Sequence, residues 1–313
     1  MTNLQSLRRR AQRVFGNTEA DAALKRVRAI VGTTNLPAGF EGELAKAALC
    51  KLKDPEAEEP TPRELAALEM MLRMMRPAPK FEKGKLEELT EPEFAQAFPN
   101  WKAFQEILNP LRASIGRIDT AAREPAGTGF LVGDEILVTN RHVLDSISRG
   151  TRRLEPGQAS IGFHYELRPR DAEDPVPIQQ VIAFHEQFDI ALLRVNSAGD
   201  RRPALKIADV GPKLEQAVAA IGHPFDDPVN NPLFTRTIFG GSWGIKRAAP
   251  GEVITEMPFV IGHDCSTVGG NSGSPLVSME NAEVIGLHFG GGFLWCNEAI
   301  ICTELSRFVN AHA

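Results

Sequence analysis

The chain has 313 residues, of which 42% are hydrophobic and 24% charged, the balance of an ordinary globular protein. This composition excludes a mainly disordered chain, and at roughly 100 to 200 residues per domain the length predicts about two domains. No apolar stretch approaches the roughly 18 residues that a membrane span needs, so we expect a soluble protein. A net charge of −5 argues against nucleic acid or a membrane as a partner.

The N-terminal residues and the number of cysteines predict the cellular compartment of the protein. Arg8, Arg9 and Arg10 fall within a helical pattern, and no apolar core of a secretory signal follows them. We expect these arginines to form one solvated helix face. The chain has four cysteines, too few to suggest a disulfide framework in a chain of this length. We therefore expect a cytoplasmic protein.

Residues 1–115 have the spacing of amphipathic helices, with apolar residues recurring three and four positions apart in several segments. The clearest start signal lies at Thr61, a helix N-cap followed by Pro62 at the first helical position. Glu64 completes a capping box with Thr61. The sequence therefore predicts a helical N-terminal domain, a bundle, over residues 1–115.

The spacing of apolar residues changes in the remainder of the chain, residues 116–313. Short apolar runs such as GFLVG, EILVTN and DIALLRV alternate with Gly, Pro, Asn and Asp, without long helical segments between them. Such spacing is typical of an all-β barrel or sandwich. We predict two barrels, at about 116–200 and 204–305, joined by NSAGDRRP and followed by a short terminal helix. The fold class is thus a multidomain α plus all-β protein.

Three residues beside predicted strands form a set suited to hydrolysis. His142 ends the strand of LVTNRHVL, Asp189 opens DIALLRV, and Ser272 lies among glycines in GGNSGSP. A serine nucleophile needs a histidine to take and return its proton and a carboxylate to orient that histidine. The order His, Asp, Ser is one of the chain orders in which this triad recurs. We therefore identify His142, Asp189 and Ser272 as the candidate catalytic residues.

These three segments resemble those around the catalytic residues of the chymotrypsin-like, or trypsin-fold, serine peptidases, in particular the bacterial glutamyl-endopeptidase-like branch. The resemblance spans about residues 125 to 305 and implies a double β-barrel with the triad in the cleft between barrels. It also implies an oxyanion hole made by the backbone N–H groups of Gly270 and Ser272. Asn271 replaces the aspartate of trypsin, so we do not expect activation by a freshly cut N-terminus; cleavage between 117 and 128 stays open.

The resemblance also assigns a pocket for the substrate residue before the scissile bond. Its lining residues are Ser266, Thr267, His288, Gly290 and Gly291. Because Ser266 and not an aspartate stands at the pocket base, a preference for Arg or Lys is not expected. Thr267 and His288 match the groups with which glutamyl endopeptidases hold a substrate carboxylate, and a partly protonated histidine suits a negative side chain. The alternative is a packed His288 in a small polar pocket.

No cofactor or metal is predicted. HEQFD at 185–189 lacks the second histidine of a zinc protease motif, and GTGFLVG at 127–133 is not followed by the helix of a dinucleotide site. Cys265 and Cys296 lie near positions where secreted relatives place a disulfide, but they are offset from them. We expect two free thiols.

The leading hypothesis is an intracellular serine endopeptidase that cleaves proteins and is controlled by a partner protein acting on residues 1–115. This helical start is similar to adaptor domains that bacterial conflict systems attach to trypsin-like effectors, a fold-level analogy that predicts little activity without the partner. The alternative is a catalytically silent protease-fold interaction module. An oligomeric quality-control protease of the HtrA group is a third hypothesis, disfavoured because no peptide-binding module follows the β-domain.

Overall fold

A computed structural model of the chain describes residues 4–32, 36, 39–54, 56–168, 175–196, 201–226, 232–291 and 296–313. A helical region comes first and two β-barrels follow it, so the predicted combination of α and all-β parts is confirmed. Within those residues no helix has the length and apolar character needed to cross a membrane.

The first four helices enclose a hydrophobic core of their own. They are α1 (Leu4–Phe15), α2 (Ala20–Val31), α3 (Gly42–Lys53) and α4 (Pro62–Met74). The predicted start of α4 is confirmed, because the Thr61 hydroxyl accepts the N–H of Glu64 and the Glu64 carboxylate accepts the N–H of Thr61. This capping box satisfies two backbone donors that the first turn of a helix would otherwise leave unpaired.

The rest of the helical region packs on the barrels. Its elements are β1 (Phe81–Glu82), β2 (Lys85–Leu86), α5 (Pro92–Ala97) and α6 (Trp101–Leu111). Phe104 of α6 is fully buried in the same hydrophobic cluster as Phe130 of the first barrel and Ile221 of the second. The part of the helical region from Phe81 to Leu111 therefore shares a hydrophobic core with both barrels.

The first barrel closes through six antiparallel strands, and α7 (Arg141–Ile147) lies between its third and fourth strands. The strands are β3 (Ile115–Thr120), β4 (Pro125–Leu131), β5 (Ile136–Thr139), β6 (Ala159–Gly162), β7 (Val176–Phe184) and β8 (Ala191–Val195). Their order around the barrel is β3-β4-β5-β8-β7-β6, so β5 pairs with β8. The predicted linker falls partly outside the described residues, at 197–200.

The second barrel also closes through six antiparallel strands, which confirms the predicted double barrel. It comprises β9 (Ala217–Gly222), α8 (Pro232–Phe239), β10 (Arg247–Glu256), β11 (Val260–His263), β12 (Pro275–Ser278), β13 (Val284–Gly291) and β14 (Asn297–Ile301). Its strand order is β10-β11-β14-β13-β12-β9. The terminal helix α9 (Cys302–His312) is present, and it buries Leu305, Phe308 and Val309 as the spacing predicts.

The predicted solvated face of α1 is wrong at one position. Arg8 and Arg9 are exposed, but Arg10 is fully buried. Arg10 lies three residues after Leu7 on the helix, so it belongs to the face that packs inward. Its guanidinium pairs with Glu69 of α4 at 2.6 Å and with Asp264, next to β11, at 3.4 Å. Ion pairing therefore replaces solvation for this cation.

Candidate active site

The pairing of β5 with β8 brings His142 and Asp189 together. Thr139, the last residue of β5, lies opposite Ala191, the first residue of β8. His142 follows β5 in the first turn of α7, and Asp189 comes just before β8. His142 Nδ1 lies 2.6 Å from Asp189 Oδ2, and the backbone N–H of His142 donates to Asp189 Oδ1 at 2.9 Å. The carboxylate thus holds both the ring and the backbone of the histidine.

The surroundings of Asp189 keep its carboxylate ionised. Burial raises the pKa of Asp189, but the hydrogen bonds and charge of His142 and the charge of Arg141 outweigh burial and hold the pKa below its ordinary value. The His142 side chain is 48% exposed and that of Asp189 only 21%. The imidazole is therefore open to a substrate while its charged partner is sheltered.

Ser272 lies in the loop between β11 and β12, next to the first barrel. The N–H of Thr128 donates to the Ser272 carbonyl at 2.8 Å. A Cβ at Gly127 would lie 2.7 Å from Val143 Cγ2 and 3.0 Å from the Ser272 carbonyl oxygen, so a glycine there lets the two segments approach. Among the described residues no hydrogen bond joins Ser272 Oγ to the His142 ring. Catalytic hydrogen bonds often tighten only when substrate binds.

Within the described residues, two N–H groups of the Ser272 loop have no intramolecular acceptor. The N–H groups of Asn271, Gly273 and Ser274 donate to the carbonyls of Val268, His288 and Asn271 respectively. In the part of the chain that the structure describes, the N–H groups of Gly270 and Ser272 donate to no backbone carbonyl. Two unengaged donors two residues apart suit a developing oxyanion.

Contacts with the second barrel orient the peptide between Gly269 and Gly270. The N–H of Phe225 donates to the Gly269 carbonyl at 2.8 Å. Because a trans peptide directs its C=O and N–H oppositely, the Gly270 N–H is turned away from Phe225. Gly270 has φ +89°, and a Cβ there would lie 2.3 Å from the His223 carbonyl oxygen. Only glycine fits this position.

Asn271, which replaces the aspartate of trypsin, forms hydrogen bonds within its own loop. Its Nδ2 donates to the Val268 carbonyl at 3.1 Å, and its backbone N–H donates to the same oxygen at 3.2 Å. The side chain is buried. A neutral amide thus stabilises the loop from within, without a charged partner.

The predicted pocket residues lie on both sides of the Ser272 loop. His288, Gly290 and Gly291 belong to β13, which is tied to the loop by the bond from Gly273 N–H to the His288 carbonyl at 2.9 Å. A Cβ at Gly290 would meet nothing within 4 Å, so this glycine faces open space. Thr267 is buried, and its hydroxyl makes no hydrogen bond within the described residues.

His288 is buried against a second histidine. Its Nδ1 lies 3.1 Å from Nε2 of His263, which is itself fully buried and leaves Nδ1 without a partner. Burial lowers the pKa of His288 to about 4, opposed by the backbone of Glu298, and it lowers the pKa of His263 well below its ordinary value. Burial thus disfavours the partial protonation of His288 that the resemblance predicts.

The sequence did not predict the contacts that Arg76, Asn297 and Thr128 make near the site. Ser266 donates its hydroxyl to the backbone carbonyl of Arg76 in the helical region at 2.7 Å. Asn297 lies opposite Gly291 in the strand register and donates its Nδ2 to the Cys265 carbonyl at 2.6 Å. Both contacts join residues distant in sequence, as do those of Thr128. Only the strand register would have suggested Asn297.

Cys265 and Cys296 are free thiols. Burial raises the pKa of both, which makes them poor nucleophiles at neutral pH. In the described residues no group of three or more His, Cys, Asp and Glu side chains could hold a metal ion.

Comparisons with known proteins agree with this geometry. The model of the trypsin-like peptidase domain family matches residues 127–287, which contain all three candidate catalytic residues. A glutamyl endopeptidase of Staphylococcus aureus (strain MW2) is 27% identical over 249 residues, which cover 73% of this chain and 68% of that protein. The glutamyl endopeptidase of strain MRSA252 is 26% identical over 249 residues, 73% of this chain and 62% of that protein.

Among solved structures, the serine endoprotease from Yersinia pestis superposes with a TM-score of 0.50 at 16% identity, covering 66% of this chain and 65% of that chain. At this identity the likeness concerns the fold alone. The family match spans half of the chain and lies within the two closed barrels. The chain therefore belongs to the trypsin-like peptidases and is a serine endopeptidase.

Proposed function

We propose that Ser272 is the nucleophile, His142 the general base and acid, and Asp189 the carboxylate that orients the imidazole. His142 Nε2 takes the Ser272 proton as Oγ attacks the substrate carbonyl, and it returns that proton to the leaving amine. The N–H groups of Gly270 and Ser272 stabilise the oxyanion. Water, activated by His142, then hydrolyses the acyl-enzyme. The observation that carries this proposal is the bidentate contact of Asp189 with His142.

We further propose a preference for an acidic residue before the scissile bond, with Thr267 and His288 as the side chains that hold its carboxylate. The similarity to glutamyl endopeptidases supports this preference. So does the unengaged hydroxyl of Thr267. The neutral His288 ring contacts His263 through Nδ1 and bonds the Glu298 backbone, and a bound carboxylate favours proton uptake by the ring, which adds a second N–H. Ser266 contributes through its backbone, because its hydroxyl is engaged by Arg76.

Cleavage of a peptide library, read by mass spectrometry, tests this assignment. We expect wild-type protein to cut after Glu and Asp, and the Ser272→Ala variant to cut nothing. The His288→Ala variant should lose cleavage after Glu far more than cleavage after Ala or Leu. Equal losses of cleavage after Glu, Ala and Leu would contradict the proposed role of His288. Absence of cleavage by the wild type would favour the silent interaction module.

We also propose that the protein works in the cytoplasm on protein substrates and that a partner protein regulates it through residues 1–115. Four free cysteines, two of them buried, support a reducing compartment. The two unengaged N–H groups of the Ser272 loop support activity without a partner. Regulation would then act elsewhere than on the oxyanion hole. The role in a bacterial conflict system stays a prediction, tested by phage challenge of cells with and without the Ser272→Ala change.

A further inference from the structure

Three consecutive buried residues, which end at Ser266 of the predicted pocket, are each held by a contact from another part of the chain. Asp264 pairs with the guanidinium of Arg76 at 2.7 Å, and Ser266 donates to the Arg76 carbonyl at 2.7 Å. The carbonyl of Cys265 accepts from Asn297 at 2.6 Å. Two of the three contacts therefore come from one residue of the helical region, just after α4.

The side chain of Asp264 depends on the helical region for its charge balance. Arg76 donates to Asp264 Oδ2 through Nε at 3.0 Å and Nη2 at 2.7 Å, and Arg10 Nη1 lies 3.4 Å from the same oxygen. Asp264 Oδ1 accepts the N–H of Glu252 at 2.6 Å. Asp264, Arg76 and Arg10 have no exposed side-chain surface. Removal of one partner from a buried ion pair is strongly destabilising, because the other charge stays uncompensated.

Further ion pairs hold the same helices in place. Arg10 pairs with Glu69 at 2.6 Å, which joins α1 to α4. Arg13 of α1 and Arg76 both donate to Glu252 of β10, the latter at 3.1 Å. A displacement of α1 or α4 would therefore break contacts to Asp264 and Glu252 together. The segment that carries Ser266 and Thr267 would then lose the contacts with the helical region that hold it in place.

We propose that Arg76 is a positioning residue for the specificity pocket, and that the helical region forms the rear wall of that pocket. This inference rests on the proposed function of the Asp264 to Thr267 segment in holding the residue before the scissile bond. Substrate selection then depends on the docked helical region, whereas the reactivity of Ser272 does not. A partner that moves α4 would change KM and specificity.

The test uses the full chain with the substitution Arg76→Gln, which removes the charge and keeps a polar side chain. Arg63→Gln is the matched control, because Arg63 lies on α4 but pairs with Glu41 on the exposed surface at 2.8 Å. Three quantities are measured in each protein: hydrogen exchange of backbone amides 264–268, the rate of Ser272 labelling by a fluorophosphonate, and kcat and KM for Glu-terminated and Leu-terminated peptides.

For Arg76→Gln we expect about tenfold faster exchange at 264–268 and an increase of about tenfold in KM for the Glu peptide. Labelling of Ser272 should stay within about twofold of wild type, because the reagent does not need the pocket. Arg63→Gln should match wild type in all three. Exchange at 264–268 equal to wild type, or equal losses of labelling and of both peptide activities, would overturn the proposal.

If Arg76→Gln does not fold, the double variant Arg76→Gln/Asp264→Asn removes the uncompensated carboxylate as well. We expect this variant to fold, with faster exchange at 264–268 and a reduced ratio of Glu to Leu cleavage. Wild-type exchange and an unchanged ratio would overturn the proposal. Hydrogen exchange does not depend on catalysis, so it tests the role of Arg76 independently of activity. A wild-type protein that is not labelled by the fluorophosphonate would refute the proposed function but not the role of Arg76.

Discussion

The hydroxyl of Thr128 donates to the carbonyl of Gly270 at 2.8 Å and so joins the first barrel to the loop that carries Ser272. The same hydroxyl accepts the N–H of His223 at 3.1 Å, and the Thr128 N–H binds the Ser272 carbonyl at 2.8 Å. One threonine thus contacts both residues whose N–H groups form the proposed oxyanion hole. These bonds join the two barrels, and both bonds of the Thr128 hydroxyl are buried.

Replacement of Thr128 by valine tests this arrangement. Val keeps the shape but leaves the Gly270 carbonyl and the His223 N–H unpaired, so we expect kcat to fall about tenfold with little change in KM. The control is Thr120→Val, which removes a hydroxyl at the end of β3 that accepts the N–H of Glu124 in an exposed hydrogen bond. The measurement is kcat and KM of the two variants and of the wild type by steady-state kinetics. An unchanged kcat in Thr128→Val would show that the loop needs no support from the first barrel.

The Asp189→Asn substitution tests the orientation of the imidazole. An amide can donate to His142 Nδ1 and so favours the wrong tautomer, and we expect kcat/KM to fall about 10⁴-fold. Asp145→Asn is a matched control on α7, because Asp145 pairs with Arg152 near the surface at 2.7 Å. A loss below about tenfold in Asp189→Asn would contradict the assigned role of this carboxylate.

The low pKa of His288 predicts a pH dependence specific to acidic substrates. In the free protein the ring is neutral above about pH 4. A bound carboxylate raises the pKa of His288, so binding takes up a proton between the free and bound pKa values. The ratio of kcat/KM for Glu to that for Gln peptides should therefore fall as pH rises from 5 to 9, by up to about tenfold per unit. Parallel pH profiles for the two peptides would exclude His288 as the carboxylate ligand.

Asp264 predicts a loss of stability in acid. Burial raises the pKa of Asp264, but Arg76 and Arg10 outweigh it and hold the pKa far below its ordinary value. Because the pKa of Asp264 is lower in the folded than in the unfolded protein, its ionised form stabilises the fold at pH values above the unfolded pKa of about 3.9. This stabilisation is lost as the pH falls below about 3.9 toward the folded pKa. We expect the Asp264→Asn variant to be less stable than wild type at pH 7 and closer to it at pH 3.

Urea denaturation at both pH values measures this difference. The control is Glu41→Gln, which breaks an exposed pair with Arg63 and should change little, as surface pairs do. A stability difference between wild type and Asp264→Asn that is the same at pH 7 and pH 3 would contradict the linkage between Asp264 and the helical region.

The elements that depend on local pattern were predictable from sequence. Thr61 and Glu64 are three residues apart, so their capping box requires only one helical turn. His142, Asp189 and Ser272 each lie in a short recognisable segment beside a strand, and the family resemblance orders them. Closure into two barrels followed from the spacing of apolar runs and from that resemblance.

Contacts between distant segments were not predictable in this way. Arg10 reads as one of three surface arginines, and its burial depends on Asp264, which lies 254 residues later. Arg76 follows α4 without any motif, and Asp264 is 188 residues away. The neutral state of His288 depends on burial against His263, which no spacing encodes. Long-range charge pairing and desolvation require the folded chain.

The most direct measurement is the intact mass of the protein after incubation with a fluorophosphonate in the absence of any partner. Wild type and a Ser274→Ala control, which changes a buried serine of the same loop, should each gain one adduct, and Ser272→Ala none. That result would establish Ser272 as an activated nucleophile in an oxyanion hole that needs no partner. A folded wild-type protein that gains no adduct would contradict this account.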